Sequence, residues 1–117
     1  MTAQVKALAA PQLKEAVNGV LHVGKLEGNA HGLVSPYQYQ TTGDVVALHV
    51  KTSTGNSFEE QTIVTEAGVG RPLTFAIPKD VFEKKLVPQA TAELHYIVKR
   101  VGQNPETSNV LKVHLEK

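Results

Sequence analysis

The chain has 117 residues, with 12 basic against 11 acidic side chains and a net charge of +1: one domain's length, without the basic footprint of a nucleic-acid binder. With no cysteine, it has no disulfides, thiolate metal sites, cysteine nucleophiles or c-type haem attachment. No apolar run approaches the roughly 20 residues that cross a bilayer as a helix, so membrane insertion is not expected. Met1–Ala10 also lacks the apolar region of a signal peptide, which leaves either no export by that route or excision from a longer protein as the expectation.

Residues 1–9, rich in alanine, read as a leader or linker, and residues 10–117 as one folded domain. Val, Ile and Thr number 16, 3 and 10, a β-branched population that favours extended backbone. In chain order, weak strand runs span Gln12–Val17 and Gly32–Ser35. A strong run follows over Asp44–Lys51, with Val46, Leu48 and Val50 on one face and Val45, Ala47 and His49 on the other. Thr54-Gly55-Asn56 predicts a hairpin into a further run over Phe58–Thr65. Leu73, Phe75 and Ile77 alternate between Pro72 and Pro78, residues confined to strand ends or edges. One helical turn is expected over Val81–Leu86 and no long helix anywhere. The strongest alternation comes last: Ala92–Arg100, with Leu94, Tyr96 and Val98 opposite His95 and Ile97, and Val110–Glu116, with Leu111, Val113 and Leu115 opposite His114. About seven short strands with turns at regular spacing predict an all-β, two-sheet sandwich, a closed barrel being the alternative.

Ala10-Pro11, Glu15-Ala16 and Gly19-Val20-Leu21 stand at the spacing found at the start of a repeat family. They are followed in order by Gly43–Leu48, Val69–Pro78, Leu94–Arg100 and Ser108–Leu111. Together these segments resemble the immunoglobulin-like repeat domains of large bacterial surface proteins, known best from pseudomonads. The resemblance implies an immunoglobulin-like sandwich that serves as a spacer or adhesive module at the cell surface or in secreted form. Neighbouring domains of the same polypeptide and a host glycan or protein would be its partners. It implies no catalytic residue and no cofactor. The chain departs from the repeats at Leu48-His49-Val50, where an aromatic is usual, and at Ser57–Glu60.

Nucleophile and phosphate-loop motifs are missing. Ser35, Ser53, Ser57 and Ser108 sit in or beside turns, and Gly68-Val69-Gly70 leads into a strand rather than a helix. Glu59 and Glu60 are adjacent and so face opposite sides of a strand. An enzyme is therefore not expected. If the implied fold holds, His49, His95 and His114 point outward from neighbouring strands of one sheet. In favourable register two of them would share a Zn or Ni ion or form a proton-sensitive pair; the bland reading is three independent polar positions. His22 and His31 have no assigned role. Tyr37, Gln38 and Tyr39 read as an extended Tyr/Gln ladder with both rings on one face, suited to stacking on a sugar or a partner's edge, or else as an edge strand that tucks one ring inward. The expected function is thus an adhesin-like module without catalysis, the rival being a small stand-alone ligand-binding protein, lectin-like or toxin-like.

Overall fold

The computed structural model describes residues 8–117. Two sheets pack face to face. The smaller runs β1 (Gln12–Leu13), β3 (Ala30–Val34), β6 (Leu73–Ile77), all antiparallel. The larger runs β2 (Val20–His22), β9 (Leu111–Glu116), β7 (Thr91–Lys99), β4 (Val45–Thr52), β5 (Ser57–Ile63), with β8 (Glu106–Thr107) pairing β7 off this path. The first segment thus kinks between sheets: β1 belongs to the small one, and after a turn with Asn18 and Gly19 at positive φ, β2 joins the large one.

The inward faces are those the alternation marks. Val46, Leu48 and Val50 of β4 and Leu94, Tyr96 and Val98 of β7 meet Ala30, Val34, Phe75 and Ile77 of the small sheet in one buried cluster. Gly32 faces the large sheet at close range: a Cβ there would stand 2.8 Å from Leu48 Cδ2 across the interface and 3.2 Å from Ile77 Cδ1 on the neighbouring β6. Thr54–Asn56 does form the β4–β5 turn, with Gly55 at φ 98°. The helix after Pro78 begins earlier than expected, as α1 (Lys79–Glu83), and buries Val81 and Phe82. Asn56 reaches across from the hairpin, its Nδ2 donating to the carbonyls of Val81 at 3.0 Å and Lys84 at 2.7 Å, which satisfies groups a helix end leaves orphaned.

Of the expected leader, residues 1–7 lie outside the described residues, whereas Leu8 is buried in the core and bridges Ser108, its carbonyl accepting from Asn109 N at 2.9 Å. The expected strand over Gln12–Val17 shortens to β1, since Lys14 and Glu15 turn away. Glu15 has a structural task instead. Its carboxylate accepts from His31 N at 2.8 Å and pairs with His31 Nδ1 at 2.6 Å, tying the kink to β3. Burial pushes this carboxyl up, but the hydrogen bonds from the His31 ring and amide outweigh that and hold it below the ordinary carboxylate value.

Leu8, the first described residue, and Lys117 lie toward opposite ends of β7. Leu8 lies beside the loop that follows β7, and Lys117 lies against Gly24, near Ala90 at the start of β7. Near Lys117 β2 and β9 run parallel, pairing Val20 with His114, Leu21 with Leu115 and His22 with Glu116.

Candidate functional site

At the end where β7 finishes, the loops 35–44 and 100–105 and the incoming residues 8–10 enclose a groove of about 1060 Å³. Its floor is built on a tight turn. Asp44 N donates to Thr41 O at 3.1 Å with Gly43 at φ 99°, and Gly43 N and Asp44 O exchange hydrogen bonds of 2.8 Å with Val64, pinning the turn to the chain after β5. Asp44 is 3% exposed, and its Oδ2 accepts from Thr41 N at 3.0 Å and from the Tyr37 hydroxyl at 2.7 Å. A buried carboxylate needs such donors, because losing water without them would cost several kcal/mol.

Tyr37 is held from both sides. The Arg100 guanidinium lies 5.5 Å from its ring centroid, while Arg100 Nη2 donates to Gln38 O at 3.0 Å and pairs with Glu106 Oε2 at 3.1 Å. The Arg100–Glu106 contact is an ion pair without the alignment of a hydrogen bond, which leaves Glu106 Oε2 and Arg100 Nε buried and unmatched. Burial, followed by the Asp44 hydrogen bond and charge, raises the Tyr37 hydroxyl well above its ordinary pKa, with Arg100 opposing. The phenol therefore stays protonated at neutral pH. Tyr96, on the floor, is likewise raised by burial.

This geometry corrects the expected ladder. Residues 38–39 form a turn, with Tyr39 at φ 65°, so the rings of Tyr37 and Tyr39 do not share a face. Tyr37 tucks inward and is committed to Asp44, whereas Tyr39 is 74% exposed at the groove's rim. Gln38 contributes its carbonyl to Arg100. Asp44, Arg100 and Glu106, which organise the floor, were not singled out by the sequence. Asp44 and Arg100 read there as a strand's first and last residues, and only the Thr-Gly-Asp turn signal hinted at more.

The three histidines divide. His49 and His95 are directly opposite on β4 and β7, their rings stacked with centroids 5.0 Å apart and planes 6° from parallel. His114 pairs with Thr91, four residues along β7 from His95, and stands apart. The register of β9 on β7 is the reason: sequence places all three outward but not in one row. Among the described residues no three His, Asp or Glu side chains converge on a point where a metal ion would sit, and the three-histidine set is not assembled.

Compared with protein-family models, with curated proteins and with solved structures, the chain matches none.

Proposed function

We propose that this chain is an immunoglobulin-like, non-catalytic module of a bacterial surface or secreted adhesin-like protein, working as a spacer between neighbouring domains of one polypeptide. The observation that carries this reading is the parallel β2–β9 pair in a fold where Leu8 and Lys117 lie toward opposite ends of β7. Tension between the ends would pull β2 and β9 in opposite directions along their length. Their backbone hydrogen bonds would then be loaded together in shear rather than opened one after another. Resistance to such loading is governed by the unfolding rate rather than by equilibrium stability. The test is single-molecule pulling of a tandem array. His114→Pro, which removes the 2.8 Å bond from His114 N to Gly19 O, should lower the unfolding force; an unchanged force would count against a load path through β2–β9.

The groove supports a second reading, ligand binding to a host glycan or protein, because Tyr39 is an exposed aromatic beside a rigid polar floor. In that case Tyr39→Ala would abolish binding on a glycan or protein array while leaving the pulling trace unchanged. Localisation at the cell surface or outside the cell follows from the adhesin reading; no helix among the described residues is long and apolar enough to cross a membrane.

A further inference from the structure

The centre of the large sheet carries a feature unrelated to the groove or to the ends. β4 and β7 are joined by eight register pairs from Val45–Lys99 to Thr52–Ala92, and His49–His95 falls in the middle of that ladder, on the outward face. The two imidazoles are stacked almost parallel at 5.0 Å. Like charges directly opposite on adjacent strands destabilise the pair, and in this stack two cations would sit one ring's separation apart.

The surrounding charges are unequal. From β5, Glu59 is the register partner of His49 on its other side, with Oε1 3.5 Å from His49 Nδ1. One row along, Lys51 of β4 is opposite Glu93 of β7, which is opposite Lys112 of β9. Ala47 and Ile97 form the row on the far side and bring no charge. His49 thus has Glu59 at 3.5 Å, while the nearest carboxylate to His95 on its own strand, Glu93, stands in register between two lysines.

We propose that His49 and His95 form a one-proton site at the centre of the β4–β7 ladder, and that acid strong enough to charge both rings loosens this pairing, making the module softer at low pH. Glu59, with Oε1 3.5 Å from His49 Nδ1, balances charge at the His49 side of the pair, so His95 is the ring that resists the second proton. The direction of the His95 shift agrees: burial lowers it first, the neighbouring His49 lowers it further, and Glu93 opposes. A histidine lowered in the fold contributes stability that is full above the unfolded value, near 6.5, and is lost as pH falls through that value toward the folded one.

The full chain is tested by NMR titration of its imidazoles from pH 8.5 to 4.5, alongside His49→Gln, His95→Gln and Glu59→Gln. All three substitutions lie on the outward face, away from the core. The expected result is a pair that titrates in two steps separated by about one unit or more, with His95 taking the later proton. In His49→Gln the His95 midpoint should rise toward the ordinary histidine value. In Glu59→Gln, which keeps both rings, the step between them should shrink. Protection of the β4 and β7 amides, taken as exchange corrected for its intrinsic pH dependence, should fall between pH 7 and 5 in the parent, and less so in His49→Gln. A His95 midpoint that is the same in the parent and in His49→Gln, or two rings that each titrate independently, would overturn the proposal.

Discussion

Replacing Tyr37 by Phe tests the groove's floor most cleanly. The substitution removes one oxygen and keeps the ring that Arg100 covers at 5.5 Å. What disappears is the 2.7 Å bond to Oδ2 of Asp44, a residue only 3% exposed, which keeps Thr41 N as its remaining donor. Hydrogen bonds to charged groups contribute about 1.5–3 kcal/mol, and since Tyr37 itself is half-buried the lower figure applies, about 1.5 kcal/mol. At about 2.1 cal/mol/K of unfolding entropy per residue, a chain of this length loses roughly 6 °C in Tm. Urea unfolding and calorimetry at pH 7 measure both. The alkaline limb supplies an independent check. A hydroxyl raised in the fold contributes stability that is full below its unfolded value, about 10, and is lost as pH climbs through the folded one. Tyr37→Phe should therefore flatten the parent's decline above pH 10. A loss below about 0.5 kcal/mol, the level of an ordinary surface substitution, together with an unchanged alkaline limb would refute the account of the floor.

Glu15→Gln should cost about 1–2 kcal/mol at pH 7, discounted for a partly exposed pair, by urea denaturation. Because the carboxyl is lowered in the fold, its stabilisation is present above the unfolded value, near 4.3, and is lost as pH falls through the folded one, so the gap between parent and variant should close on the acid side. Gly32→Ala places a methyl 2.8 Å from Leu48 Cδ2 inside a closed core and should cost about 1–3 kcal/mol, although alanine is the better strand former; a stabilised variant would show that the sheets part easily. Asn56→Ala removes the two bonds to the Val81 and Lys84 carbonyls and should cost about 1–2 kcal/mol, with amide exchange around α1 and the β4–β5 hairpin quickening together.

The strands that alternation reveals are those with one face in the core. β4, β7 and β9 each place hydrophobic side chains two residues apart against the small sheet, and their period is visible without any partner. β2 is not visible this way. It has three residues, only Leu21 is fully buried, and its existence depends on pairing with β9, more than ninety residues away in sequence. β8 is two residues long and gives no period at all. Alternation also misleads at Ala47, which reads as outward yet is buried beneath the outer face, where β4 is flanked by both β5 and β7.

The candidate sites show the same division. That His49 and His95 share a face is legible from strand period, but which residues stand opposite is set by register, and register put His114 four residues away. At Tyr37–Tyr39 the alternating letters imitate a strand while the backbone turns through a positive φ at Tyr39, a conformation that no apolar pattern encodes. Asp44, Arg100 and Glu106 come together from three separate loops and strand ends, so their convergence is a property of topology.

The measurement that tests the central proposal most directly is the size and location of the native polypeptide, read by immunoblot of fractionated source cells with an antibody to this domain. A module of a larger adhesin-like protein gives a band far above 12.6 kDa in the surface or secreted fraction. A band at 12.6 kDa confined to the cell interior would contradict that proposal.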